Sequence, residues 1–248
     1  MAGHSKWKQI KRAKGVADAK RSQVFTKFAR EITVAAKHGG PDPEMNPRLR
    51  LAIDRAREQN MPKDNIERAI SRASAGGAEA ELAEVVYEGY GPGGIAVLVE
   101  ALTDNRNRTV SDVRNLFTRA GGNLGEAGSV AWQFETRGLI TLDTTGADPE
   151  ELALRAMDTG AEDVRVDAGI VEVYTRPDAL EQVRRELDAA GVAVSSAEVV
   201  KAPKSTIALD ARQAEQVLRL LDQFDELDDV QRVSSNADFP EEVLAAIA

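Results

Sequence analysis

The chain has 248 residues, of which 42% are apolar and 29% charged, and its formal net charge is −9. This composition can form one large domain or two to three small ones. The lack of cysteine excludes disulfides, thiolate metal sites and a cysteine nucleophile. No stretch approaches the roughly 18 apolar residues of a membrane helix, and no apolar segment follows the basic N-terminus as in a secretory signal. We therefore expect a soluble, cytoplasmic protein.

Charge is distributed unevenly along the chain. Residues 1–72 contain 17 Lys and Arg against eight Asp and Glu, whereas the remaining 176 residues contain 15 basic and 33 acidic side chains. The first forty residues alone contain ten basic side chains and two acidic ones. Clustered cations bind phosphates by releasing condensed counterions. This change from a basic to an acidic part of the chain therefore predicts a local contact with a polyanion at one end of the molecule.

The first third of the chain is predicted to be helical. Residues 17–37 show helical periodicity with an apolar face made of Val24, Phe25, Phe28, Ile32, Ala35 and Ala36. Asn46 and Pro47 predict the N-cap and first residue of a second helix, and residues 60–62 separate it from a third. Residues 74–78 are the best candidate for a linker. We therefore expect a basic helical domain over residues 1–78.

Beyond this linker, alternating strand and helix patterns replace continuous helix. Residues 137–202 show the order βαββαβ in one contiguous piece, which is the ferredoxin-like order. Strands at 94–102 and 129–134, with a helix between them, combine with strand 206–209, helix 212–224 and strand 230–234 into a second βαββαβ that is split at its central hairpin. The predicted fold class is therefore α+β: an N-terminal all-α helical domain followed by two ferredoxin-like βαββαβ-type domains, one inserted in the other. The expected boundaries are 79–135 plus 204–248 for the split domain and 136–203 for the inserted one.

The strongest candidate for binding nucleic acid is the segment 5–14. Its lysines can contact phosphates, Arg12 can bind a phosphate in a bidentate manner, and Trp7 could stack on an unpaired base. A solvated basic tail, with Trp7 buried, is the alternative. The candidate residues of this tail are Lys6, Trp7, Lys8, Lys11, Arg12 and Lys14.

A cationic stripe on the first predicted helix extends the same surface. Lys20, Lys27, Arg30 and Lys37 lie roughly opposite its apolar face, and Arg21 falls outside this division. An ordinary solvated helix face is the alternative for the stripe alone. A possible secondary contact is the pair Arg106 and Arg108, in the segment 103–109 between a strand and a helix. There Asp, Asn and Thr are more simply explained as capping residues.

Other motifs do not indicate catalysis. The glycine-rich segment 87–94 lacks the Lys-Ser/Thr ending of a phosphate loop and precedes a strand, so we interpret it as a hairpin or connecting loop. The segment 122–128 likewise lacks the context of a dinucleotide-binding fold. His4 and His38 have no acidic partner at ligand spacing, and the acidic residues at 150–151 and 225–229 are interpreted as solvated helix ends. No nucleophile, base and orienting group stand together. We expect no enzyme activity, no metal site and no cofactor.

Several segments along the chain are specific in combination. They are Ala2-Gly3-His4-Ser5-Lys6-Trp7, Asp18-Ala19-Lys20-Arg21, Phe25-Thr26-Lys27, Arg30-Glu31-Ile32, Asn60-Met61-Pro62-Lys63-Asp64-Asn65-Ile66, Tyr87-Glu88-Gly89-Tyr90-Gly91-Pro92-Gly93-Gly94, Leu102-Thr103-Asp104-Asn105-Arg106-Asn107-Arg108-Thr109, and residues 125–134 with Gly128-Ser129-Val130 and Trp132. Together these segments resemble the YebC family, whose mitochondrial relative is a translational activator of cytochrome c oxidase. The resemblance covers nearly the whole chain. One departure is Lys11-Arg12-Ala13-Lys14, where relatives often have a histidine.

The resemblance implies three domains, one helical and two α/β, with no cofactor and no known catalytic activity. Family members are described as DNA-binding transcriptional regulators and also as ribosome-associated factors that ease translation of proline-rich stretches. The expected function is a non-enzymatic, nucleic-acid-binding regulator of gene expression, with DNA or ribosomal RNA as its partner and no membrane or small-molecule substrate. The alternative is an adaptor that binds proteins through its acidic α/β domains.

Overall fold

The computed structural model describes residues 18–74, 82–167, 169–240 and 242–243. By its internal contacts the chain divides into two compact units. One contains the described residues before 134 and after 204, and the other spans residues 134–204. The predicted boundary at residue 78 lies outside the described residues, so the division into three domains stays a prediction.

The described part of the first unit starts with three helices. They are α1 Asp18–Gly39, α2 Pro47–Glu58 and α3 Lys63–Ser74. Ile32, Ala35 and Ala36 of α1 are buried against apolar side chains of α2 and α3, with Phe25 and Phe28 packed partly beside them, as the periodicity predicts. Asn46 caps α2 through a hydrogen bond that its side-chain oxygen accepts from the Leu49 amide at 3.1 Å. Local sequence therefore determines where α2 begins and which face of α1 is buried.

The same unit contains a four-stranded sheet with helices on one face. In chain order its described elements are β1 Ala83–Tyr90, β2 Ala96–Thr103, α4 Arg106–Arg119 and β3 Asn123–Leu124. The sheet order is β3-β1-β2 followed by β9 (Val230–Ser235), which packs with α7 (Ala211–Asp225). The core is apolar and includes Phe117 of α4 and Phe224 of α7, whose ring centroids are 4.9 Å apart.

The second unit has the predicted ferredoxin-like arrangement. Its strands pair antiparallel in the order β5 (Asp163–Asp167), β6 (Ile170–Thr175), β4 (Phe134–Leu142) and β7 (Val194–Pro203). Its two helices supply the buried Leu152, Leu180 and Leu187. The observed βαββαβ order confirms the expectation for this part of the chain. The elements are β4 Phe134–Leu142, α5 Pro149–Met157, β5 Asp163–Asp167, β6 Ile170–Thr175, α6 Leu180–Ala189 and β7 Val194–Pro203.

The α+β class is confirmed, but the sheet of the first unit differs from the prediction in two strands. The predicted strand at 206–209 is reduced to β8 (Ile207–Ala208), which pairs parallel with β10 (Ala237–Asp238) in a separate small sheet. In a complete βαββαβ sheet that strand would lie beside β2. Here β1 occupies this edge, because residues 83–90 pair with β2 along their whole length. The predicted strand at 129–134 is a turn and a short 3-10 helix up to Gln133, and extended structure begins at Phe134.

Candidate nucleic-acid interface

The predicted basic tail lies outside the described residues. This applies to Lys6, Trp7, Lys8, Lys11, Arg12 and Lys14. Lys20 belongs to α1, the first helix that the structure describes. Arg21 and Lys37, near the two ends of α1, are exposed. These positions remain the predicted phosphate contacts.

Two members of the predicted stripe turn inward to the connection between α7 and β9. The Lys27 ammonium donates a hydrogen bond to the Asp225 carbonyl oxygen. Arg30 Nη1 donates to the Asp228 carbonyl at 2.8 Å and to Asp229 Oδ1 at 2.9 Å. Gln23 of the same helix donates to Asp228 Oδ1 at 2.9 Å. Lys27 and Arg30 therefore hold α1 against the α/β part of its unit, in contrast to the predicted phosphate contact.

Asp229 is the centre of this attachment. Its side chain is 9% exposed and binds Arg30 through one carboxylate oxygen. The other oxygen accepts hydrogen bonds from Arg108 Nη2 at 2.8 Å, Thr109 Oγ1 at 2.8 Å and Thr103 Oγ1 at 3.2 Å. Burial raises the pKa of Asp229, but the hydrogen bonds from Arg108 and Thr109 outweigh that cost and lower it. The expectation of a solvated helix end at 225–229 is therefore wrong for Asp229.

The segment 103–109 contributes three side chains that donate hydrogen bonds to Asp229. Asn105 caps α4 by accepting a hydrogen bond from the Arg108 amide at 3.1 Å, as predicted for a strand-to-helix turn. The Arg108 guanidinium also binds Asp104 at 2.7 Å. The pKa of Arg108 is raised, chiefly because of its hydrogen bond to Asp229. Its charge is thus balanced by two carboxylates. Arg106, at the first position of α4, is exposed and remains a predicted contact.

The groove beside Asp229 does not favour an anion. It is open, has a volume of about 420 Å³, and is lined by two arginines and five acids. Phosphate placed there would meet more carboxylates than guanidinium groups, and like charges at this range repel. The acids are Asp104, Asp112, Glu226, Asp228 and Asp229.

A second ionic cluster joins α1 to α2 and to the sheet. Glu31 accepts hydrogen bonds from Arg55 of α2 at 2.8 Å and from Arg232 of β9 at 3.1 Å. All three side chains are less than a quarter exposed. Glu31 and Arg30 are adjacent in sequence, so one turn of α1 carries both attachments. Local periodicity did not indicate either pairing.

The two glycine-rich segments form one structure around Glu88. This residue is 6% exposed, and its carboxylate accepts hydrogen bonds from the backbone amides of Gly128, Val130 and Ala131 at 2.7–2.8 Å. Burial raises the pKa of Glu88, but these three amides outweigh the effect and lower it. The signal that could have indicated this role is an acidic residue between Tyr87 and Gly89, at the glycine-rich end of a predicted strand.

Two aromatic side chains meet at the same loop. The Tyr90 hydroxyl donates to the Ser129 carbonyl oxygen at 3.0 Å, and Trp132 Nε1 donates to that oxygen at 3.1 Å. Trp132 is nevertheless 67% exposed. Sequence reasoning included Trp132 only as part of the family resemblance, without a role of its own.

Within 18–74, 82–167, 169–240 and 242–243, no three His, Asp or Glu side chains are placed to hold a metal ion. Over these ranges, none of the helices combines the length and apolar character needed to cross a bilayer.

Two family models together match most of the chain. Residues 5–76 match the TACO1/YebC protein N-terminal domain, and residues 82–237 match the TACO1/YebC second and third domain. The chain belongs to the TACO1/YebC family. The resemblance seen in the sequence is thereby confirmed.

Similar proteins extend this TACO1/YebC match over the full length. A probable transcriptional regulatory protein of Dehalococcoides mccartyi is 57% identical over 98% of this chain and 97% of its own. Another, from Thermomicrobium roseum, is 55% identical over 100% of both chains. A conserved hypothetical protein from Aquifex aeolicus, whose crystal structure is known, is 46% identical to this chain in sequence. The two structures match over 92% of this chain and 94% of the other, with a TM-score of 0.85. The fold described above is thus similar to one solved by crystallography.

Proposed function

We propose that this protein is a non-enzymatic regulator of gene expression that acts in the cytoplasm and binds nucleic acid through the cationic residues of its N-terminal region. The observation that carries the proposal is the ten Lys and Arg against two acids in the first forty residues of a chain with a net charge of −9. A polyanion is attracted to this region and repelled by the rest of the chain. The names of the relatives, probable transcriptional regulatory proteins, support a regulatory role.

The contacts of α1 refine which cations take part. Lys27 and Arg30 bind the acidic connection between α7 and β9, so they stabilise the attachment of the helix. The proposed interface therefore consists of the tail lysines and Arg12, with Lys20, Arg21 and Lys37 on α1. Trp7 supplies a stacking contact for an unpaired base.

Salt-dependent binding tests the proposal. We expect binding of mixed-sequence DNA or RNA to weaken steeply as salt rises. Replacing Lys6, Lys8, Lys11 and Lys14 together by Ala should lower the slope of log K against log salt by about 3 to 4 for duplex DNA. Between 50 and 200 mM salt, the variant's loss of affinity should then be on the order of a hundredfold smaller than the wild type's.

A matched control removes four positive charges elsewhere. Arg176, Arg185, Arg212 and Arg219 are all exposed and lie outside the helical region, and their replacement by Ala should leave the slope unchanged. Equal slopes for the wild type and the tail variant would contradict the proposed interface. Loss of the slope in the control variant instead would assign binding to the α/β region.

The natural target separates transcription from translation. Crosslinking in cells followed by sequencing identifies the bound nucleic acid directly. Enrichment of discrete chromosomal sites supports transcriptional regulation, and enrichment of ribosomal RNA supports a translational role. A protein adaptor would yield neither.

A further inference from the structure

The outer surface of α5 carries two exposed apolar side chains. Leu154 is 66% exposed and Met157 is 56% exposed. They are three residues apart in one helix, so they are neighbours on its surface. The other exposed large hydrophobic side chains of the described residues lie singly on other segments. Single residues of this kind are common on proteins, whereas an adjacent pair within a polar rim is a candidate contact site.

The internal packing of the second unit uses another side of this helix. Leu152, Ala153 and Ala156 are buried, and α5 packs against β5 and β6. Because a helix turns by about 100° per residue, Leu154 lies roughly opposite these buried side chains. The fold of the second unit is therefore complete without a contact to Leu154 or Met157.

Three acidic side chains form a rim around Leu154. Glu150 and Glu151 precede it by four and three residues, and Asp158 follows it by four, so each lies next to it on the helix surface. All three are exposed, and within the described part of the chain none of them has an ion-pair partner. This acidic rim therefore places three uncompensated negative charges beside an apolar centre.

The basic residue of α5 does not neutralise the acidic rim. The Arg155 guanidinium donates a hydrogen bond to the Ala190 carbonyl oxygen, just after α6. It reaches this carbonyl instead of pairing with Glu151, four residues before it. Residues 134–204 contain eight basic and 15 acidic side chains, a net charge of −7. A cation that approaches α5 is therefore attracted by the rim and by the unit as a whole.

This arrangement discriminates between occupants. A nucleic acid would bring phosphates against the three carboxylates, and like charges repel. A second copy of the chain would place its own acidic rim against this one, whichever way the two helices run, because acids flank the apolar pair at both ends of α5. An apolar side chain between lysines or arginines matches both parts of the surface, since it buries the pair and neutralises the rim.

We propose that the outer surface of α5 binds a basic, amphipathic segment of a partner protein. Leu154 and Met157 form the apolar centre of this contact, and the acidic rim pairs with lysines or arginines of the segment. An apolar centre with a polar rim is the usual anatomy of a protein interface, and methionine adapts its shape to a partner. The surface belongs to the second unit and the proposed nucleic-acid contact to the first, so the inference goes beyond the proposed function and does not depend on it.

Peptide binding to the full chain tests this surface directly. The probe is a fluorescein-labelled 14-residue peptide of leucine and lysine with its leucines at helical spacing, and the readout is fluorescence anisotropy. Leu154→Ser combined with Met157→Ser should weaken binding by about tenfold or more, as expected for the centre of an interface. Glu150→Gln, Glu151→Gln and Asp158→Asn together should also weaken it and reduce its dependence on salt.

A matched control neutralises three exposed acids elsewhere in the same unit. Asp178→Asn, Glu186→Gln and Asp188→Asn lie in or beside α6 and should change the affinity for the probe by about twofold or less. All the replaced side chains are exposed, so circular dichroism should show an unchanged fold. Equal weakening in the control would mean that the probe responds to net charge alone. That result, or unchanged binding in the α5 variants, would overturn the inference.

Crosslinking in cells identifies the natural occupant. Photoreactive benzoylphenylalanine replaces Leu154, and in a control chain it replaces Arg185, which is exposed on α6. The peptide crosslinked at position 154 should have lysines or arginines around an apolar residue, and it should be lost when the acidic rim is neutralised. Crosslinks to nucleic acid, to another copy of this chain, or to neither above the level of the control position would refute the proposed partner. Nucleic-acid affinity should be unchanged in all these variants, so this inference and the proposed function can fail separately.

Discussion

Arg30 of α1 and Asp229, 199 residues later in the chain, form an ion pair with an N–O distance of 2.9 Å. The same carboxylate binds Arg108 and Thr109. One acidic residue therefore connects α1, the start of β9 and the start of α4.

Asp229→Ala should be strongly destabilising. It removes a carboxylate that accepts hydrogen bonds from Arg30, Arg108 and two buried threonine hydroxyls, and loss of a buried ionic partner costs about 3 kcal/mol. Chemical denaturation at pH 7 measures the change in the free energy of unfolding. Glu215→Ala removes the same charge from an exposed pair on α7 and should cost about 0.5 kcal/mol or less. Equal losses for the two variants would show that Asp229 has no special role.

The contribution of Asp229 should depend on pH. Its pKa is lowered in the folded protein, so the ionised carboxylate stabilises the fold above its unfolded-state pKa of about 3.9. This stabilisation is lost as the pH falls through the lower, folded-state pKa. The difference in unfolding free energy between the wild type and Asp229→Ala should therefore be constant between pH 5 and 7, because this whole range lies about one unit or more above the unfolded-state pKa. The difference should shrink in more acidic solution. Denaturation series at several pH values test this, and a difference that grows on acidification would contradict it.

Replacement of Arg30 by Ala and replacement of Arg21 by Ala should change different properties of the protein. Arg30→Ala removes an anchor of α1 and should lower stability, while the salt dependence of nucleic-acid binding stays nearly unchanged. Arg21 is exposed, and an exposed charge pair contributes about 1 kcal/mol or less, so Arg21→Ala should change stability little and lower the salt slope by about 1. Thermal denaturation and binding titrations on the same samples separate these roles. A reduced salt slope for Arg30→Ala would return that residue to the interface.

Glu88→Ala should loosen the loop before Trp132. The amides of Gly128, Val130 and Ala131 lose a shared acceptor, and a hydrogen bond to a charged group contributes about 1.5 to 3 kcal/mol. Hydrogen exchange at these amides should accelerate more than exchange in α2, which is distant in sequence. Glu126→Ala, at an exposed position of the same loop, is the control and should leave exchange unchanged. Protected amides in the Glu88 variant would mean that other contacts hold the loop.

Gly122→Ala should disrupt the connection between α4 and β3. A Cβ atom at this position would overlap the Tyr90 carbonyl oxygen in β1, where backbone cannot easily move. We expect a loss of about 3 kcal/mol in the free energy of unfolding. Gly146→Ala meets no atom within 4 Å and has only its positive φ to oppose it, so about 1 kcal/mol is expected there. Similar values for the two variants would argue against the close approach.

Local sequence was sufficient for much of the fold. The apolar face of α1, the Asn46 cap of α2 and the Asn105 cap of α4 depend on residues within a few positions of each other, so they could be predicted from spacing. The contiguous βαββαβ of residues 134–203 also followed from the order of periodic segments. The family could be recognised because its motifs are specific in combination.

Tertiary structure decided the roles of the charged and glycine-rich residues. Nothing near Asp229 in sequence distinguishes it from Asp228, since its partners come from α1 and from the start of α4. The hairpin of β1 and β2 agrees with the interpretation of residues 87–94 as a hairpin. That β1 lies beside β2 in place of the predicted strand at 206–209 depends on competition between strands for one edge, which periodicity does not describe. The charge of the N-terminal region is thus a property of the sequence alone. Which of its cations anchor the helix depends on long-range pairing, because an ion pair forms wherever folding brings a guanidinium to a carboxylate, however far apart the two are in the chain.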